Sequence, residues 1–239
     1  AEKFGAKFIN SNVIDIDLNS KPFKIKTESQ EFESYSVIIA TGASSRWLGL
    51  ESEKKFIGRG VSSCATCDGV FFKNKEVAIV GGGDTALNDA LFLTRFVKKV
   101  TIIHRRNEFR ASKIMQDRVH SNEKINIILN SIVTEVLGNE IVTGIIIKNN
   151  NTSEISQLNL EGVFVAIGYS PNTSFLKNKI ELDEQKYIIT KQDIKTNIEG
   201  VFAAGDVCDK IYKQAIIAAG SGAKAALETR FYLQKENLL

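Results

Sequence analysis

Short apolar runs punctuated by glycine dominate the hydrophobic pattern of this chain. Tyr35–Thr41, Glu76–Val80, Glu161–Ala166 and Gly200–Ala204 are nearly continuous rather than alternating. A strand reads this way when both faces are covered, as in the parallel sheets of α/β proteins. A glycine follows each run within two residues: Gly42, Gly81, Gly168 and Gly205. Val100–Ile103 is a further strand of this kind. Phe8–Thr27 alternates weakly, with Phe23, Ile25 and Thr27 on one side, which predicts antiparallel strands. Ile125–Leu129, Ile132–Leu137 and Ile141–Lys148 read as more strands, followed by a turn at Asn149–Thr152. Helical spacing covers about Asp84–Phe96, Ala111–Ser121 and Gln214–Tyr232. The last of these carries Ala218, Ala219, Ser221 and Gly222 on its packing face. Phe4 and Phe8 read as the tail of an amphipathic helix over Ala1–Phe8, and Arg46–Gly60 reads as loop. The strand–glycine–helix–strand unit around Gly81 lies mid-chain, between strands that do not belong to it. That predicts one domain inserted into another.

Composition narrows the function. The 239 residues are 43% hydrophobic and 25% charged, which is globular rather than disordered. A net charge of +3 without a basic block argues against nucleic acid as partner. Apolar stretches such as Val77–Val80 and Gly144–Ile147 are too short to cross a bilayer. Ala1–Phe8 has no secretory h-region. Three cysteines exclude a disulfide framework, and two histidines leave a zinc site short of ligands, so no metal is expected.

VAIVGGGDTALNDA places Gly81-x-Gly83-x-x-Ala86 between a strand and a helix. The first glycine permits the turn, the second admits a pyrophosphate, and Ala86 lets helix pack on strand. The helix start supplies free N–H groups to phosphates. The next strand ends in His104-Arg105-Arg106, with Arg110 following. Arg105 lies 19 residues after Ala86, where an NAD site usually holds a carboxylate. Forked, permanent cations suit a 2′-phosphate instead, so the expectation is NADPH.

Cys64-Ala65-Thr66-Cys67 is a CxxC pair with Asp68 beside it. Two thiols at this spacing can cycle between disulfide and dithiol, and a neighbouring carboxyl can shuttle the accompanying proton. Half a zinc site or two buried small residues are the other readings, but no second CxxC exists to complete a zinc site. Near the end of the chain, GVFAAGD delivers Asp206 to the mouth of a sheet. Lys213-Gln214-Ala215 then opens the long helix, whose positive end suits a reduced flavin.

CATCDG, GGGDTA, HRRNEFRAS, VFVAIGYSPNT, GVFAAGDV and IYKQAIIAAGSG occur in that order. Together they resemble the low-molecular-weight, bacterial-type thioredoxin reductases over essentially the whole chain. The resemblance implies an α/β fold of two Rossmann-like, three-layer ββα dinucleotide-binding domains. An NADPH domain, 44–167, would be inserted into an FAD domain, 1–43 and 168–239. It implies an NADPH-dependent flavoenzyme that reduces oxidised thioredoxin, works as a cytoplasmic homodimer, and uses FAD.

In residue terms, Cys67 would face the flavin, Cys64 would attack the thioredoxin disulfide, and Asp68 would be the acid. Arg105, Arg106 and Arg110 would hold the 2′-phosphate. Asp206 would meet the FAD ribityl chain, and Gln214 and Ala215 the ring. Thr41, Gly42, Ile167, Gly168, Gly205 and Lys213 are further expected cofactor-binding residues. Asp84, Thr85 and His104 join the glycines on the NADPH side. The crossings Thr41–Ser45 and Ile167–Pro171 would be hinges. The family opens with a βαβ unit whose glycine loop binds the FAD pyrophosphate, and this sequence holds no second such loop. The expectation is therefore a chain lacking that N-terminal segment. Two alternatives stand beside the reductase. The flavoprotein subunit of alkyl hydroperoxide reductase shares the cysteine pair, but it carries Pro-His between the cysteines and prefers NADH. A non-catalytic NADP-binding remnant is the other.

Overall fold

The computed structural model describes residues 1–177 and 179–239. They form two compact units, Ala1–Ser44 with Ser170–Leu239, and Ser45–Tyr169.

The first unit begins with an antiparallel meander of β1 (Val13–Asp17), β2 (Phe23–Thr27) and β3 (Glu31–Ser34). On β2 Phe23 and Thr27 are buried and Ile25 half-buried, as their alternation predicts. Strands β4 (Val37–Ile39) and β5 (Ala43–Ser45) follow. No α-helix forms over Ala1–Phe8. A single 3-10 turn, Glu2–Phe4, ends at Gly5 in the left-handed region. Phe4 and Phe8 are 95% and 70% exposed, so nothing packs on the expected apolar stripe and a lone short helix is not stable by itself.

The second unit runs from α1 (Glu51–Phe56) and β6 (Val61–Ser62) through α2 (Ala65–Asp68), β7 (Glu76–Val80), α3 (Asp84–Leu93) and β8 (Lys99–Ile103). It continues through α4 (Lys113–His120), β9 (Ile125–Ile128), β10 (Ser131–Gly138), β11 (Val142–Asn149), β12 (Ile155–Asn159) and β13 (Gly162–Val165). Five strands form a parallel sheet in the order β6-β13-β7-β8-β9, and β10-β11-β12 form an antiparallel sheet. One face of the parallel sheet, with Val77, Ile79, Val100, Ile102 and Phe164, packs on Ala86, Leu87, Ala90 and Leu93 of α3. The other face, with Ala78, Val80, Ile103, Val163 and Val165, packs on Val133, Val136, Val142, Ile145 and Ile147. Both faces are dry, which is why these strands lack alternation. Each fully buried aliphatic side chain contributes about 1.5–3 kcal/mol of transfer free energy.

Two expectations change here. Arg46–Gly60 contains α1, which ESEKKF conceals because Phe56 is its one apolar residue. The Glu53 side chain is fully buried and accepts the N–H groups of Leu48 and Gly49, each at 2.9 Å, while Phe56 enters the core. The exposed strand β12 was also unforeseen, since ISQLN carries no strong apolar pattern.

The chain then passes through β14 (Tyr169–Pro171), which pairs with β5, and returns to the first unit for β15 (Val201–Ala203) and α5 (Ala215–Lys235). β15 lies parallel to β4. On α5, Ala218, Ser221 and Gly222 are half-buried and Ala225 is buried, at helical spacing. Ala219 falls off this stripe and is exposed.

Candidate functional site

In the second unit the turn from β7 to α3 lies where strand order reverses, with β8 on one side of β7 and β13 on the other. Ligands of doubly wound sheets bind at such a point. At Gly81 an added Cβ would come within 2.5 Å of the Ala166 carbonyl oxygen and 2.6 Å of Ala86 Cβ, so no side chain fits. Gly83, the N-cap of α3, has nothing within 4 Å of its would-be Cβ. A closed first glycine and an open second one are what a pyrophosphate needs at a helix start. Thr85 is exposed in the first turn of α3, and Ala86 is fully buried.

The loop after β8 stands beside this turn. Arg110 N–H donates to the Gly82 carbonyl at 2.7 Å. Ser112 donates twice to Asp84 Oδ1, from its N–H at 2.9 Å and from Oγ at 2.7 Å. These bonds hold the Asp84 carboxyl below its ordinary pKa. Arg105, Arg106 and Arg110 are all exposed, and among the described residues none pairs with a carboxylate. His104 is only 6% exposed, with Nε2 3.0 Å from the Glu108 carbonyl oxygen. Burial, reinforced by the adjacent guanidinium groups, pushes its pKa down, so the ring is neutral at pH 7.

Cys64 and Cys67 form a disulfide across α2, with their Cα atoms 5.3 Å apart. Cys64 is the N-cap and is half-buried, while Cys67 is exposed. The Cys67 N–H donates to Cys64 Sγ at 3.2 Å. Asp68 Oδ2 accepts a hydrogen bond from Ser62 Oγ at 2.5 Å. Ser62, on β6, is buried, and its Oγ also accepts the Cys64 N–H at 3.0 Å. One hydroxyl thus fixes both the carboxyl and the start of the redox turn. Sequence reading missed Ser62; its placement two residues before Cys64 is the only trace it leaves.

In the first unit the C-terminal ends of β4 and β15 open into a cavity of about 240 Å³. Ala40, Gly42, Ala204, Gly205, Asp206 and Ala215 are among its lining residues. Gly205 sits in the left-handed region at φ 76°, and its N–H donates to Ser221 Oγ on α5 at 2.8 Å. Thr41 Oγ1 donates to the Asn172 carbonyl at 2.8 Å. Lys213, with Nζ 3.0 Å from Tyr187 Oη, and Gln214, the N-cap of α5, precede the helix. Ile167 and Gly168 belong to the second unit, where the Gly168 carbonyl accepts the Arg46 N–H at 2.9 Å. The third cysteine, Cys208, is a half-buried free thiol raised to a pKa of about 11, chiefly by burial. Among the described residues no helix is long and apolar enough to cross a membrane, and no cluster of His, Cys, Asp and Glu is placed to hold a metal ion.

Residues 3–222 match the family described as pyridine nucleotide-disulphide oxidoreductase. A thioredoxin reductase of Rickettsia prowazekii is 52% identical over 240 residues, covering 98% of this chain and 77% of the relative. One from Coxiella burnetii is 44% identical over 246 residues, covering 99% and 77%. The crystal structure of thioredoxin reductase from Streptococcus pyogenes superposes with a TM-score of 0.91 at 41% identity, covering 98% of this chain and 77% of that one.

Proposed function

We propose a function from one premise: the chain belongs to the pyridine nucleotide-disulphide oxidoreductase family. Within that family it is an NADPH-dependent, FAD-containing disulfide reductase whose substrate is oxidised thioredoxin. The observation that carries this reading is the second unit itself. It joins a dinucleotide turn, three exposed arginines that pair with no carboxylate among the described residues, and a CxxC disulfide with a tethered carboxyl.

The residues fit NADPH. Gly81 permits the tight turn against Ala166 and Ala86, Gly83 leaves the pyrophosphate room at the start of α3, and Arg105, Arg106 and Arg110 supply forked donors for the 2′-phosphate. The cavity beyond β4 and β15 fits part of a flavin, because its walls are glycine and alanine with Asp206 as its one carboxylate. Asp206, Gln214 and Ala215 would hold that group. When bound, nicotinamide and flavin together supply the two electrons that reduce the Cys64–Cys67 disulfide.

The rest is done by this chain's own side chains. In the dithiol form the Cys64 thiolate attacks one sulfur of the partner's disulfide, forming a mixed disulfide and expelling the partner's other sulfur as thiolate, which takes up a proton. Cys67 then attacks Cys64 Sγ. The Cys64–Cys67 bond closes, and the partner leaves as a dithiol. Asp68, held by Ser62, gives and takes protons at Cys67. The working form is a homodimer in the cytoplasm, where a CxxC pair is catalytic rather than structural.

The test is to incubate the full chain with FAD, desalt it, and record the visible spectrum before and after NADPH. A retained flavin band that NADPH bleaches, followed by reduction of oxidised thioredoxin, is the expected result. A protein whose chemically reduced cysteine pair fails to exchange with thioredoxin would overturn the reading. Light scattering tests the dimer.

A further inference from the structure

Arginines on an exposed coil normally pay a large entropy cost on binding an anion. The loop that carries Arg105, Arg106 and Arg110 is instead tied down on both flanks. Asn150 Nδ2 donates to the Arg105 carbonyl at 2.9 Å. Asn130 N–H donates to the Arg106 carbonyl at 3.0 Å, and Arg110 N–H to the Gly82 carbonyl at 2.7 Å. The far end is fixed by the two bonds from Ser112 to Asp84 Oδ1, spanning 28 residues of sequence. Asp84 is the first residue of α3, directly after the open Gly83. A carboxylate there opposes an incoming phosphate through its charge. Its geometry points another way, at Ser112.

We infer that Asp84 is a positioning residue: by holding Ser112 it fixes the arginine loop against the glycine turn and thereby sets the preference for a 2′-phosphorylated nucleotide. This rests on reading the arginines as the 2′-phosphate site. The bracing role and the bare electrostatic role of Asp84 predict opposite signs. If the carboxylate acted only through its charge, removing it would tighten binding of the more anionic nucleotide. If it braces the loop, removing it weakens that nucleotide selectively. Asn at this position keeps an acceptor oxygen for Ser112 and loses the charge, so it separates the two.

The experiment is calorimetric titration of the full chain with NADP⁺ and NAD⁺, which differ only in the 2′-phosphate and need no flavin turnover. Asp84→Ala should weaken NADP⁺ about tenfold, the scale of hydrogen bonds to a charged acceptor, and NAD⁺ less than about twofold. Asp84→Asn should stay within about threefold of wild type for both. Ser112→Ala, which removes one of the two donors, should lie between wild type and Asp84→Ala. Unchanged or tighter NADP⁺ binding by Asp84→Ala overturns the bracing role. So does an equal loss for both nucleotides. Should Asp84→Ala fail to fold, Ser112→Ala still decides: wild-type affinity for NADP⁺ overturns the role. A wild-type protein without preference for NADP⁺ overturns the arginine reading, and the bracing role with it, by a pattern distinct from the other two.

Discussion

The two units of this chain are built from the same strand–helix repertoire but bury it to different depths. In the second unit α3 buries four of its ten residues against a five-stranded sheet that is covered on both faces. In the first, α5 buries only Ala225 and Tyr232 of its 21 residues, against the pair β4–β15. Ile216, Leu227 and Phe231 on α5 are 81%, 54% and 59% exposed. The other face of the β4–β15 pair is dry, with Ile39, Val201 and Ala203 packed on Ile16, Phe23, Ile180, Ile188 and Val207, so the contrast lies on the α5 side, where two strands rather than five receive the helix. The redox and arginine clusters both stand on the deeper scaffold, and hydrogen bonds to that scaffold hold the redox turn and the arginine loop. The cleft at Gly205 and Asp206 rests on the thinner one.

The sharpest way to break this comparison uses the cysteines. Cys67→Ser should leave Cys64 to attack oxidised thioredoxin and stay linked to it, because the resolving thiol is gone. Mass spectrometry should find the mixed disulfide with Cys67→Ser and not with Cys64→Ser. The exposure of Cys67 makes this a demanding test, since accessibility alone favours the opposite assignment. Cys208→Ser, in the first unit, should leave exchange unchanged. Its thiol is raised to about 11, so almost none is thiolate at pH 7.

Next in size is the core. Leu87→Ala, at a fully buried site on α3, should cost about 2–5 kcal/mol. Ile216→Ala on α5 should change stability by less than about 0.5 kcal/mol. The single tryptophan, Trp47, packs on the second unit's core, so its fluorescence in urea follows that unit. Hydrogen exchange should find the amides of β4 opening before those of β7. Equal protection of the two strands would sink the contrast.

Arg105→Ala combined with Arg106→Ala comes third. NADPH should bind about a hundredfold more weakly and NADH within about threefold, since each lost charge-assisted bond removes about 1.5–3 kcal/mol. Equal losses would mean that the arginines serve the fold rather than the 2′-phosphate.

The same depth of burial explains what the sequence disclosed. β7, the glycine turn, α3 and β8 were legible because two covered faces write a continuous apolar run, and a packed helix writes a 3.6-residue period. α1 was not legible, because a buried Glu53 bonded to Leu48 and Gly49 supports it rather than an apolar stripe. Phe4 and Phe8 had helical spacing but no partner surface, so the period alone misled. Cys64, Cys67 and the arginines stand out in the sequence by their spacing. Ser62 and the Asp84–Ser112 link do not, since polar hydrogen bonds between residues 6 and 28 apart leave no hydrophobic period behind.

The smallest effect expected is a pH dependence confined to the second unit. Asp89 lies half-buried on α3, and burial raises its pKa from an ordinary 3.8 to about 6. Below pH 3.8 the carboxyl is protonated in both the folded and unfolded chain, so burial carries no charge penalty. Between 3.8 and 6 the unfolded chain releases its proton while the folded one keeps it, and stability falls as pH rises. Above 6 the folded protein carries a poorly solvated carboxylate, and the full penalty persists. Asp89→Asn removes that ionisation at nearly the same size. It should therefore stabilise the Trp47 transition by about 1–2 kcal/mol at pH 7.5, progressively less on acidification, and not at all near pH 3.5. A gain that is the same at pH 7.5 and pH 3.5 would assign the effect to packing. A loss at pH 7.5 would mean that the Asp89 carboxylate makes a stabilising contact that outweighs its burial.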